Sequence, residues 1–198
     1  MFFNKKNPQP KRVLVINGNP DRNSLCGALA EEAANTSRSA HRETQLIHLE
    51  DVKFDPDLTH GYRQRKELEA DLLAVQAALE WCDTLILVHP LWWGSAPAKL
   101  KGMFDRMFLP GFAFQYIEGK PLPDKMLSGR TARVLITSDT PGWYLRTVYR
   151  NAWPNVLRRQ ILDFVGLTVT HLVTIGPIKS AKPNANQKWL EAARKLVT

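Results

Sequence analysis

Five short runs rich in Val, Ile, Leu and Thr punctuate the chain: Arg12 to Asn17, Thr44 to Leu49, Thr84 to His89, Ala132 to Ser138 and Val169 to Ile175. The first, third and fourth are apolar at almost every position, which predicts strands covered on both faces, as in a parallel sheet. Between them, apolar residues recur at helical spacing. Ser24 to Ser39 begins on a capping serine and repeats Leu25, Leu29 and Ala33. Gln64 to Trp81 places Leu68, Leu72, Val75 and Leu79 on one face, and Pro97 to Met107 opens on a proline suited to a first turn. Trp143 to Phe164 is helical in parts, with an interruption expected near Pro154, and Gln187 to Leu196 closes the chain. Alternation of β and α without repeat or linker predicts an α/β doubly wound sheet in one domain over residues 12–198. Five strands favour a parallel five-stranded sheet in the order 2-1-3-4-5 over a six-stranded arrangement.

One connection exceeds a bare crossover. Leu109 to Gly129 follows the third helix, and an insertion of that kind builds a binding wall or an interface. The alternation of Phe112, Phe114 and Tyr116 within it offers a short strand or hairpin as the alternative. Met1 to Lys11, with Lys5, Lys6, Pro8 and Pro10, is expected as a flexible leader and lacks the apolar core of a signal peptide. No apolar stretch approaches the roughly 20 residues that span a bilayer, so an integral membrane protein is not expected. On this view the chain is cytoplasmic and the Asn35-Thr36-Ser37 sequon is accidental.

The net charge of +8 raises the question of nucleic acid. Its carriers are scattered, as in Arg63, Arg65 and Lys66, Arg146 and Arg150, Arg158 and Arg159, or Lys179 and Lys182. No zinc finger, RNA-recognition signature or basic stripe organises them, so no nucleic acid partner is expected. Mild attraction for anionic small molecules accounts for the charge equally well. Cys26 and Cys82 show neither CxxC spacing nor a disulfide framework, and no His/Cys cluster suggests a metal.

In an open α/β sheet, ligands bind beyond the carboxyl ends of the strands where the winding reverses. Three loops fall there. Gly18 to Cys26 (GNPDRNSLC) leads small polar residues into a helix, which makes either an anion cradle or a plain helix cap. It matches neither GxGxxG nor GxxxxGK[ST]. His89 to Pro97 (HPLWWGSAP) carries two consecutive tryptophans in a turn. Both rings seldom fit one core, so a flat aromatic ligand or a protein interface is the implied partner of the exposed ring. Thr137 to Tyr144 (TSDTPGWY) offers hydroxyls, a carboxylate and a glycine turn to the polar edge of a heterocycle, although any turn uses such residues. A serine hydrolase at Ser95 is poorly supported, because its sequence context is not the GxSxG elbow. Cys26 near a helix start is either a thiol of lowered pKa or a structural cysteine.

The segment HPLWWGSAPAKLKGMFDRMF, residues 89–108, resembles the flavodoxin-like NAD(P)H dehydrogenases (quinone reductases), where Pro-Leu-x-Trp precedes a Leu-Lys-Gly-x-Phe-Asp-Arg helix. VLVINGNPDRNSLCGAL is similar to that family's flavin-phosphate loop, and ILDFVG, residues 161–166, to the segment before its last strand. The resemblance implies a flavodoxin-like fold holding FMN or FAD, with NAD(P)H as co-substrate and a quinone or similar small-molecule acceptor. It implies that Asn19, Asn23, Ser24, Leu25 and Cys26 hold the flavin phosphate. Pro90, Leu91, Trp92, Trp93 and Gly94 would flank the isoalloxazine, and Thr137, Ser138, Asp139 and Gly142 would line its polar edge. Tyr144 would border the substrate side as the catalytic candidate. Relatives are commonly homodimers with flavin sites at the interface, which the long insertion could help build. Asn19 stands where many relatives have histidine, and no histidine lies between His89 and His171 to form the Tyr/His pair of better-known quinone reductases. A flavodoxin-like electron carrier and a flavin-binding regulatory subunit without turnover are the alternatives of a different class.

Overall fold

The computed structural model of the protein describes residues 12–198; the expected leader lies outside the described residues. The elements run β1 (Arg12–Asn17), α1 (Leu25–Ser39), β2 (Glu43–His48), α2 (Ala70–Trp81), β3 (Thr84–Pro90) and α3 (Ala98–Met107). After these come β4 (Phe114–Gln115), β5 (Asp124–Lys125), β6 (Arg130–Thr137), α4 (Gly142–Thr147) and α5 (Ala152–Val156). A π-helical stretch (Leu157–Leu162), α6 (Asp163–Val165), β7 (Leu167–Ile175) and α7 (Ala185–Lys195) complete the chain. The main sheet is parallel throughout, in the order β2-β1-β3-β6-β7, which is the doubly wound 2-1-3-4-5 arrangement expected from the sequence.

Successive side chains of a strand point to opposite faces, and here both faces are covered. Leu14, Ile16, Leu85, Leu87, Val134 and Ile136 enter a core with α2, α3 and the α5–α6 region. Val13, Val15, Ile86, Val88 and Leu135 enter a second core with α1 and α7. That sandwiching explains why β1 and β3 read as continuous apolar runs. Among the described residues no helix is long and apolar enough to cross a membrane.

Two expectations are corrected. The second helix begins at Ala70 rather than Gln64, because the segment before it serves another purpose. Arg106 of α3, fully buried, donates to the backbone carbonyls of Asp55 and Glu67 and to the Glu69 carboxylate (2.9 Å), which ties Glu67 and Glu69 down ahead of the helix. Burial works to raise the Glu69 carboxyl, but the guanidinium wins and keeps it below the ordinary range. The break in the long C-terminal helical region falls at Arg150 and Asn151, both with left-handed φ (50° and 49°), not at Pro154. Pro154 sits in the first turn of α5, where a missing N–H costs nothing. The insertion takes the hairpin alternative offered by its aromatic alternation, forming the small antiparallel ribbon β4–β5, with Phe114 packed between Tyr116 and Phe164 at centroid distances of 5.5 and 5.4 Å.

Candidate functional site

The β1–α1 loop is built by a ladder of side chains that each cap the backbone two residues on. Asn17 Oδ1 accepts from Asn19 N–H (3.1 Å), Asn19 Oδ1 from Asp21 N–H (3.0 Å), and Asp21 Oδ1 from Asn23 N–H (2.9 Å). Such Asx turns replace regular secondary structure with a fixed curve. Ser24 then caps α1: its hydroxyl donates to Asp21 O (2.6 Å) and accepts from Gly27 N–H (3.2 Å). The N–H groups of Leu25 and Cys26, in the first turn, point out of the helix end as orphan donors. Gly27 is required by this wrap, since a Cβ there would sit 1.8 Å from Arg22 O.

The loop is tied to its neighbours. Arg22 N–H and guanidinium reach Glu50 and Asp51 beyond β2 (both 2.6 Å). Cys26 Sγ lies 3.4 Å from Thr137 Oγ1 at the end of β6. Burial pushes the Cys26 thiol up to about 11, against hydrogen bonds from Thr137 and Asn19. Of the two readings offered for Cys26, the structural one holds: its thiol is a buried link between the first and third loops.

The β3–α3 loop combines a rigid base with an exposed tip. His89 is fully buried; its Nδ1 bonds Pro90 O (2.8 Å), and its Nε2 accepts from Trp153 Nε1 (3.5 Å). Burial lowers its pKa to about 4, so the imidazole is neutral and is no base for a ligand. Leu91 N–H donates to Thr137 O (2.8 Å), joining this loop to the third. Trp92 and Ser95 then exchange both backbone hydrogen bonds (2.9 Å each), closing a turn in which Trp93 (φ 48°) and Gly94 (φ 74°) are both left-handed. That is a type I′ turn, whose first central position favours Asn, Asp or Gly. A tryptophan there is strained, and its side chain is 105% exposed. A strained, fully exposed indole beside open space at Gly94 has no structural purpose in the isolated chain.

In the third loop, Ser138 Oγ accepts from Thr140 N–H (3.0 Å), and Asp139 Oδ1 accepts from Lys179 N–H (2.8 Å), which anchors the segment after β7. Gly142 opens α4 with nothing within 4 Å of its Cβ position. Tyr144 is half-buried, edge-on to Trp143 (5.4 Å) and to Tyr149 (4.9 Å), so three aromatic rings line this rim.

The structure thus brings the predicted residues of all three loops to one end of the sheet. It also shows Ser24, Cys26, Thr137, Ser138 and Asp139 spending their side chains on holding the loops together, leaving mainly backbone donors for a ligand. Orphan helix donors, a flat indole without a partner, and glycines with open space fit a planar heterocycle carrying a phosphate. Asn17, Gly27 and His48 were missed by the sequence reading. The alternate spacing of Asn17, Asn19, Asp21 and Asn23 was the available signal for the first.

A separate groove of about 750 Å³ opens on the outer side of α3 and contains none of the three loops. Phe104, Phe108, Phe114, Tyr116 and Phe164 line it, with Arg65 among the lining residues. Tyr62, Gln64, Lys66, Lys101 and Gln160 add polar groups to its wall.

The flavodoxin-like fold family matches residues 11–197, and the chain belongs to that family. The rat NAD(P)H dehydrogenase (quinone) 1 is 26% identical over 93% of this chain and 76% of its own length. Among solved structures, an NAD(P)H:quinone oxidoreductase from Methanothermobacter marburgensis superposes with a TM-score of 0.79 at 24% identity, over 94% of this chain and 97% of that one. An FMN-dependent NADH-azoreductase from Bacillus anthracis, in complex with FMN, gives 0.69 at 19% identity over 95% and 100%. At those identities the two structures speak to the fold.

Proposed function

We propose that the protein is a flavin-dependent NAD(P)H oxidoreductase that passes reducing equivalents from NAD(P)H to a quinone or similar small acceptor. The observation that carries this is the strained, unpartnered Trp93 turn standing beside the α1 N-terminus and the Gly142 turn at one sheet end. The similarity to the rat quinone dehydrogenase over most of the chain supports it. FMN is preferred to FAD, because the three loops supply a phosphate cradle and no separate adenine pocket.

A bound flavin would supply the hydride chemistry. The chain's own work is positioning. The first-turn N–H groups of Leu25 and Cys26, with Asn19, Asn23 and Ser24 shaping the loop, would hold the phosphate. Pro90, Leu91, Trp92, Trp93 and Gly94 would cover the ring face and exclude water from it. Backbone donors at Gly94 and in the Thr137–Gly142 loop would stabilise negative charge at the ring's polar edge. Tyr144, held by Trp143 and Tyr149, would border the substrate.

The working form we infer is a cytoplasmic homodimer, with the long insertion that carries β4 and β5 helping to build its interface. The deciding experiment is an anaerobic visible spectrum of the FMN-loaded protein before and after NADPH or NADH. Rapid bleaching that a quinone reverses is the expected result. Bound flavin that stays oxidised would point to a carrier or regulatory subunit, and no binding would end the flavin assignment. Light scattering at micromolar concentration reads the dimer.

A further inference from the structure

The Asx ladder of the first loop hangs from Asn17, and Asn17 in turn hangs from a histidine. Asn17 is fully buried at the last position of β1. Its carbonyl oxygen is committed to Asn19 N–H, so its amide nitrogen must donate, and that nitrogen lies 3.2 Å from His48 Nδ1 at the end of β2. Only an imidazole unprotonated at Nδ1 can accept there. Neutral His48 then carries its proton on Nε2, which faces Glu31 of α1 at 4.0 Å. Strand pairing sets Asn17 beside His48, so the two side chains are held in register by the sheet.

We propose that Asn17 and His48 are positioning residues for the flavin-phosphate loop, with neutral His48 orienting the Asn17 amide that starts the ladder and protonated His48 releasing it. The inference rests on the flavin assignment above. An imidazolium presents N–H at both ring nitrogens. Two donors would then oppose each other between Asn17 and His48, and rotating the amide to relieve them would set its NH2 against Asn19 N–H. Either way one buried donor loses its acceptor. The ladder reaches Asn23 through Asn19 and Asp21, so the disturbance enters the loop at its root.

The groups facing His48 make the neutral form the resting one. Burial lowers its pKa and the Arg22 guanidinium of the loop adds to this, against Glu31 of α1 and Asp51 and Glu50 after β2, which pull upward. With the folded value depressed, the clamp is intact at neutral pH and is lost on the acid side.

FMN affinity, read by fluorescence titration between about pH 5 and pH 8, tests the proposal. Wild type is compared with His48→Gln, whose amide oxygen accepts from Asn17 without titrating. The second ionisation of the phosphate, near pH 6, affects both proteins alike and cancels in the ratio. Wild type should lose affinity on the acid side by about tenfold more than His48→Gln, the effect of one buried hydrogen bond left unmade. Parallel profiles would overturn the proposal while leaving the flavin assignment standing; no FMN binding by wild type at any pH would remove both. Asn17→Asp keeps the proposal testable should His48→Gln fold poorly. Its carboxylate can accept from Asn19 N–H and from protonated His48 together, so its affinity relative to wild type should rise as the pH falls. An unchanged or falling ratio would count against the clamp. A merely structural role for either residue would shift affinity equally at every pH.

Discussion

Replacing Trp93 by Asn should make the flavin-free protein more stable and the flavin complex weaker, which separates strain held for function from ordinary packing. Trp93 occupies the first central position of a type I′ turn at φ 48°, followed by Gly94 at φ 74°. Left-handed backbone costs a non-glycine residue roughly 1–2 kcal/mol, and Asn is among the residues that tolerate it. Trp93→Asn also creates Asn-Gly, a favoured pair for this turn. The indole is 105% exposed, so its removal forfeits no burial to offset the gain. The net expectation is about 1 kcal/mol of added stability, or a rise in Tm of about 2–4 °C for a domain of this size. Loss of an aromatic contact to the isoalloxazine is worth about 0.5–1.5 kcal/mol, weakening FMN binding by up to about tenfold. Thermal unfolding of the flavin-free protein, diluted to monomer, and an FMN titration measure the two effects. A variant that melts several degrees lower would refute the strain argument, because the ring would then be packed in solution. A variant that melts higher but binds FMN as wild type does would remove Trp93 from the site.

The other tests probe the framework. Gly27→Ala places a methyl 1.8 Å from Arg22 O, so the first loop must move; we expect a loss of about 1–3 kcal/mol in stability and a markedly higher FMN Kd, and an unaltered Kd would show that the loop's position is immaterial. Arg106→Gln should cost about 3–5 kcal/mol, roughly 10 °C in Tm, since Glu69 and the carbonyls of Asp55 and Glu67 lose a buried partner. A denaturant midpoint near wild type would mean that Glu67 and Glu69 are held by something else. His89 sets a pH dependence of known sign: its folded pKa is about 4 against an ordinary 6.5, so below about pH 6.5 the unfolded chain takes up a proton that the native state refuses. Stability contributed by neutral His89 is complete above that pH and falls by about 3 kcal/mol down to pH 4. Urea titrations of wild type and His89→Phe should show the slope in wild type and its reduction in the variant; equal slopes would mean that His89 protonates freely in the fold.

Much of this architecture was legible along the chain. The apolar runs of β1, β3 and β6 announce strands buried on both faces, and the succession of strand and helix leaves few topologies open. Ser24 marks the start of α1 through the local chemistry of a cap. The three loops could be located because their position at strand ends follows from topology, and the double tryptophan because exposed aromatic pairs need a partner. These are near-neighbour or periodic effects, which a linear pattern records.

What the chain alone did not disclose depends on residues brought together from far apart. The start of α2 moved because Arg106, 37 positions beyond Glu69, captures the segment before it; helical periodicity at Leu68 carries no trace of that competition. The break at Asn151 rather than Pro154 arises where the chain turns from α4 to α5, while proline in a first turn is harmless. Cys26 looked able to ionise at a helix start, yet Thr137, 111 positions away, and the surrounding core bury it. His48 is silent in the sequence and acquires meaning only through the parallel pairing that sets it beside Asn17. Local preference and periodicity therefore determined which elements form and where a site can lie. The tertiary structure decided which side chains remain free to serve it, because burial and hydrogen bonds within and between the loops commit Asn19, Ser24, Cys26, Thr137, Ser138 and Asp139.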